Sequence, residues 1–65
     1  MTTTQLEPLS YRRADAARVL GMSLDSFERY VQPEIRLVRR GSIRLVPRVE
    51  LERWLAENAE LVFEI

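Results

Sequence analysis

The sequence predicts an α+β fold, mostly α, in which two short helices, a β-hairpin and a third helix follow one another. Three observations predict it. Apolar residues recur at helical spacing on both sides of Gly21, β-branched residues and arginines surround Gly41, and another apolar helical face follows Pro47. Sixty-five residues allow one small domain with few core residues.

The chain begins with a polar segment that has no periodicity. Residues 1–8 include a proline, so we interpret them as a flexible N-terminal arm before a domain of residues 9–58. From residue 13 to residue 20, apolar side chains then recur at the spacing of one helical face. Gly21 follows where a helix would end, which predicts a first short helix.

A second short helix is predicted immediately afterwards. Ser23 is a favourable N-cap, because its hydroxyl can accept a backbone N–H of the first turn. Phe27, Tyr30 and Val31 follow at the spacing of one buried face. Pro33 is expected to end this helix.

Residues 35–46 predict a hairpin with Gly41 and Ser42 as a two-residue type II′ turn. This register places Val38 opposite Leu45 and two arginines, Arg39 and Arg44, opposite each other. Directly opposed like charges destabilise a hairpin by roughly 0.2 to 1 kcal/mol. We therefore expect an anion, such as a phosphate, between the two arginines.

The last predicted element is a third helix with Pro47 in its first turn and an end near Asn58. Its apolar face consists of Leu51, Trp54 and Leu55. Trp54 is expected to be the largest core residue. Residues 59–65 form an apolar tail, and its last part, residues 61–65, is too apolar to be solvated and should pack on another surface.

Composition excludes several kinds of function. The chain has no cysteine and no histidine, which excludes disulfides, zinc fingers, thiol nucleophiles and imidazole bases. Its ten acids show no metal-ligand spacing and there is no glycine-rich phosphate loop, so we expect neither a cofactor nor an enzyme. No apolar run could span a membrane and the N-terminus does not resemble a signal peptide, which predicts a cytoplasmic protein without membrane contact.

The net charge of zero conceals an uneven distribution. Residues 36–48 contain five arginines and no acid, whereas residues 49–65 contain five glutamates and one arginine. The planar guanidinium of arginine suits phosphate and guanine. The basic segment therefore favours nucleic acid as a partner.

The spacing of Ala17, Gly21 and Phe27 is typical of a helix-turn-helix. The alanine lets two helices cross closely, the glycine adopts a left-handed conformation in the turn, and the large apolar side chain closes the angle between the helices.

Three motifs in order resemble the excisionase and MerR-like helix-turn-helix proteins. They are Ala-Ala-Arg-Val-Leu-Gly-Met-Ser at 16–23, Gly41 with Ile-Arg-Leu-Val at 43–46, and Glu-Leu-Glu-Arg-Trp-Leu at 50–55. The resemblance covers nearly the whole predicted domain. It implies a winged helix-turn-helix in which the second helix enters the major groove of double-stranded DNA and the hairpin, or wing, follows the backbone or the minor groove.

When the family's DNA-contacting positions are transferred to the matching positions of this sequence, the resemblance implies that two segments contact DNA. The recognition helix would use Leu24, Asp25, Ser26, Glu28, Arg29 and Gln32, and the wing would use Arg39, Arg40, Ser42 and Arg44. Arg29 suits guanine, Gln32 adenine and Asp25 cytosine. Structural roles stay open, because Asp25 and Glu28 also suit the start of a helix, and Arg29 can pair with Asp25 four residues earlier. Leu24 departs from the basic or polar residue that is common in the family at this position.

Three functions stay open at this point. The resemblance favours an excisionase that positions or bends DNA for a site-specific integrase, with several copies on adjacent DNA sites. In such an assembly the acidic third helix or residues 61–65 of one copy would meet the basic hairpin of another. A small MerR-like transcriptional regulator would make the same contacts. In the third function, a protein-interaction module, the basic hairpin would meet an acidic protein.

Overall fold

The computed structural model describes residues 7–61 and has the predicted α+β, mostly helical fold. A three-stranded antiparallel sheet, ordered β1-β3-β2, packs with three helices. The elements are β1 (Ser10–Tyr11), α1 (Arg13–Leu20), α2 (Leu24–Ser26), β2 (Val38–Arg40), β3 (Ile43–Pro47) and α3 (Arg48–Asn58). A π-helical turn, Phe27–Val31, and a 3₁₀ turn, Gln32–Glu34, continue α2 directly, and we call the stretch 24–34 the composite helix.

The predicted boundary between α1 and the composite helix is confirmed. Gly21 has φ 82°, its N–H donates to the carbonyl of Arg18 (3.0 Å), and the N–H of Met22 donates to that of Ala17 (3.0 Å). These two bonds form a Schellman motif, which satisfies the last carbonyls of α1. Ser23 caps the next helix, since its Oγ accepts the N–H of Ser26 (3.1 Å).

The composite helix differs from the prediction at two residues. Phe27 and Val31 are fully buried, but Tyr30 is 59% exposed. The N–H of Gln32 donates to the carbonyl of Phe27, five residues earlier, and each residue of such a wide turn rotates less about the axis than in an α-helix. Tyr30 is therefore carried away from the core. Pro33 does not end the helical stretch either, because it lies inside the 3₁₀ turn.

The hairpin has the predicted register. Val38 lies opposite Leu45, Arg39 opposite Arg44, and the turn holds Gly41 at φ 57°. The strand β1 was not predicted. It pairs with the end of β3, and the N–H of Arg48 donates to the carbonyl of Leu9 next to it (2.8 Å).

The third helix ends at Asn58 as predicted, whereas Pro47 closes β3 and precedes the helix. Leu51 is buried, but Leu55 is 49% exposed. Trp54 is only half-buried, because its indole N–H donates to Glu34 Oε1 (2.8 Å) at the surface. Phe27, and not Trp54, is the largest fully buried side chain.

The core joins all three helices to the central strand. Its buried members are Ala16, Ala17, Phe27, Val31, Val46 and Leu51. Tyr11, Leu20, Met22, Ile35, Leu37 and Trp54 pack against them. A core this small leaves the hairpin tip, 41–43, exposed to solvent.

The two predicted terminal segments lie partly outside the described residues, which exclude 1–6 and 62–65. Glu7, expected within the flexible arm, forms an ion pair with Arg48. Leu61, expected to pack on another surface, is 84% exposed.

Candidate nucleic-acid interface

The ion pairs divide the arginines of the described chain into two groups. Five arginines have an acid within 4.0 Å, namely Arg13, Arg18, Arg29, Arg48 and Arg53. The other five have none among residues 7–61, namely Arg12, Arg36, Arg39, Arg40 and Arg44. Three of the arginines without an acid partner, Arg39, Arg40 and Arg44, are on the hairpin. The hairpin is therefore the most basic part of the described surface.

The wing residues predicted from the sequence all lie at or near the hairpin tip. Arg39, Arg40 and Ser42 are exposed, and Arg44 is half-buried. The Nη1 of Arg44 donates to the carbonyls of Gly41 (2.8 Å) and Ile43 (3.0 Å). These carbonyls stabilise part of the Arg44 charge, so the predicted repulsion with Arg39 is relieved in part without an anion.

The first half of the composite helix presents an exposed ion pair. Arg29 donates to Asp25 (3.2 Å), and the two side chains are 63% and 78% exposed. The guanidinium carbon of Arg29 also lies 6.0 Å from the ring centroid of Tyr30. Exposed pairs four residues apart contribute only about 0.2 to 0.5 kcal/mol, so both side chains can exchange this contact for another partner.

The other four predicted helix residues lie in different surroundings. Glu28 accepts from Arg13 of α1 (3.0 Å), which ties the two helices together. Ser26 donates its N–H to the capping serine and its Oγ accepts from that serine's hydroxyl (3.1 Å). Gln32 is half-buried, and its Oε1 is shielded without a hydrogen-bond partner among the described residues. Leu24 is 40% exposed. The structure therefore brings Leu24, Asp25 and Arg29 to the surface and gives Ser26 and Glu28 structural contacts.

Two open clefts separate the hairpin from the helices. The larger, about 670 Å³, lies between the start of α1 and β3, and its polar lining is Arg12, Arg13, Ser42 and Arg44. The smaller, about 260 Å³, is lined by Arg13, Gln32, Leu37, Arg39 and Arg44. Arg12 and Arg13 were not predicted as site residues. The only signal in the sequence is a pair of arginines at the start of the alanine-rich helix.

A network on α3 holds the base of the hairpin. The carboxylate of Glu50 accepts the backbone N–H of Arg36 (2.9 Å) and the guanidinium of Arg53 (2.7 Å). Arg53 and the Arg36 N–H lower the pKa of Glu50 below its ordinary value. Arg53 also donates to the carbonyl of Glu34 (3.2 Å) at the end of the composite helix. The same residues thus fix both the composite helix and the entry to β2, and sequence reasoning did not identify them.

Within residues 7–61, no three side chains of the metal-binding types His, Cys, Asp and Glu come together as a metal site. Of the helices described, none is both long and apolar enough to cross a bilayer.

No protein-family model, curated protein or solved structure matches this chain. A functional assignment must therefore rest on its surface and on its motifs.

Proposed function

We propose that this chain is a sequence-specific double-stranded DNA-binding protein of the winged helix-turn-helix class. In this proposal α1 and the composite helix are the helix-turn-helix, and the hairpin is the wing. The observation that carries it is the charge of the hairpin, where three arginines have no acid partner among the described residues. Phosphate groups neutralise such charges, and one guanidinium can donate two hydrogen bonds to the same phosphate.

The composite helix supplies the second part of the proposal. Its exposed residues Leu24, Asp25 and Arg29 have the chemistry to contact base edges in the major groove. Arg29 is assigned to guanine, and Leu24 to an apolar contact such as a thymine methyl. Ser26 and Glu28 are assigned to holding the helix, in keeping with their bonds to Ser23 and Arg13.

The motif resemblance supports a more specific role, that of an excisionase. In this role the protein positions or bends DNA, and a site-specific integrase performs the chemistry. One copy offers a contact area of the single-module kind, about 600 to 1,000 Å², so several copies on adjacent sites would supply the affinity. A small transcriptional regulator would use the same interface for a different purpose.

The test begins with selection of binding sites from random DNA duplexes, followed by mobility-shift titration of the selected duplex and a shuffled duplex. We expect enrichment of a defined sequence, affinity that falls with salt, and a ladder of bands on tandem sites. An in vitro recombination assay with a site-specific integrase encoded by a neighbouring gene, where there is one, then separates an excisionase from a regulator. A folded wild-type protein that enriches no sequence and binds no duplex would contradict the proposal and favour an acidic protein partner for the hairpin.

A further inference from the structure

The larger cleft arises from the way the chain leaves the sheet. The strand β1 pairs with β3 only at Pro47 and Val46, after which the chain turns away into α1. The adjoining part of β3, residues 43–45, therefore has no strand on that side within the described chain. The space between Arg12 and this open edge of β3 is the cleft of about 670 Å³, which we call the α1–β3 cleft.

The lining of the α1–β3 cleft combines positive charge with apolar walls. Three arginines and a serine line it, and no acid among residues 7–61 does. Arg13 is engaged with Glu28, and Arg44 donates to two carbonyls of the hairpin tip. Arg12 is exposed and has no acid partner in the part of the chain that the structure describes. Its charge is the least compensated in the cleft.

We propose that the α1–β3 cleft holds a phosphodiester of the DNA backbone, with Arg12 as its principal contact. This inference rests on the proposed function and adds a contact outside the helix and the wing. The ligand follows from the lining, because arginine and serine suit a phosphate oxygen. The apolar side chains of Ala14 and Ile43 suit the deoxyribose on either side of it.

The position of the cleft explains what this contact would do. It is bordered by Leu24, the first residue of α2, and by Ser42 at the hairpin tip. A phosphate held there lies between the two elements that approach the grooves. Phosphate contacts set the register of a protein on DNA and carry no sequence information themselves. Arg12 therefore fixes the composite helix and the hairpin on the same backbone without selecting bases.

The experiment compares Arg12→Ala with Arg18→Ala by fluorescence anisotropy on two unrelated DNA duplexes over a range of salt. Arg18 is the matched control, because it lies on α1, is 81% exposed and pairs with Asp15. We expect Arg12→Ala to weaken binding about tenfold on both duplexes and to make the slope of log affinity against log salt shallower by about one. Arg12→Lys should restore the slope, since it keeps the charge, and Arg18→Ala should change neither quantity.

The outcomes separate this inference from the proposed function. If the wild type binds both duplexes and Arg12→Ala behaves like Arg18→Ala, the cleft is not a phosphate site although the protein binds DNA. If the folded wild type binds no duplex, the proposed function fails, and titration with inorganic phosphate then tests the cleft through the NMR signal of the Arg12 Nε–H. A phosphate-dependent shift of that signal, absent for Arg18, would support an anion site for free phosphate, and no shift would overturn the inference.

Discussion

The charge of the hairpin can be measured through the salt dependence of DNA binding. Arg39 and Arg44 lie opposite each other and have no acid partner among residues 7–61. Affinity falls as salt rises, and each phosphate that an arginine neutralises makes the slope of log affinity against log salt more negative by roughly 0.9. Replacing both arginines with alanine should therefore make the slope shallower by about 1.8. When the salt concentration rises fourfold, the affinity of both proteins falls, and the factor of this fall should be about 12 times smaller for the double variant than for the wild type.

The assay is anisotropy of a labelled duplex at several salt concentrations, with the wild type, Arg39→Ala/Arg44→Ala and Arg39→Lys/Arg44→Lys. The lysine variant keeps both charges, so its slope should match that of the wild type even where its affinity is lower. Arg44 also donates to two turn carbonyls, so circular dichroism and thermal unfolding must show that each variant is folded. A folded double alanine variant with the slope of the wild type would refute the assignment of the hairpin to phosphate.

Three further predictions concern the core, the α3 network and base recognition. Phe27→Ala should cost roughly 3 to 5 kcal/mol, comparable with the whole stability of so small a domain, whereas Tyr30→Ala should change it by less than about 0.5 kcal/mol. Chemical denaturation measures the cost for Tyr30→Ala and shows whether Phe27→Ala retains a cooperative unfolding transition, and similar costs would contradict the exposed position of Tyr30. The pKa of Glu50 is lowered on folding, so its stabilising effect is complete above pH 4.5 and is lost as pH falls through the folded value. The difference in Tm between wild type and Glu50→Gln should therefore shrink below pH 4.5, and a constant difference would count against this role. Arg29→Ala should cost about 1 to 3 kcal/mol on the selected DNA site and weaken the preference at one base pair, as measured with single-base variants of the site, while equal losses on all sequences would assign Arg29 to phosphate.

The sequence predicted most of the fold because its signals are local. Gly21 ends α1 through its own backbone conformation, and Gly41 with Ser42 sets the hairpin register. The strand β1 has only two residues, too few for any periodic pattern, and it forms because β3 lies beside it. The spacing of a regular α-helix predicts Tyr30 on the buried face, and the π-helical turn alters that spacing.

The candidate site was predictable only where it lies on one continuous segment. The hairpin arginines are close in sequence, so their accumulation is visible without a structure. The α1–β3 cleft joins residues 12–14 to residues 42–45, which are brought together by the antiparallel pairing of β1 with β3 and by the packing of α1 against β3. The residues that line this cleft therefore cannot be identified from their spacing in the sequence. The same holds for Glu50 and Arg36, which meet through folding alone.

The α3 network connects the parts of the proposed interface and contains acids that offset the charge of the hairpin arginines. Glu50 joins α3 to the hairpin base through the N–H of Arg36, and Arg53, which pairs with Glu50 and Glu57, joins α3 to the composite helix. The acids are thus held away from the hairpin tip, where Arg39 and Arg40 carry charges without an acid partner in the described chain. A neutral protein can in this way present a locally basic surface. Non-specific affinity for DNA depends on the number of phosphates neutralised. In the proposed function, so few arginines would give a low non-specific affinity, and discrimination between sites would depend on the composite helix.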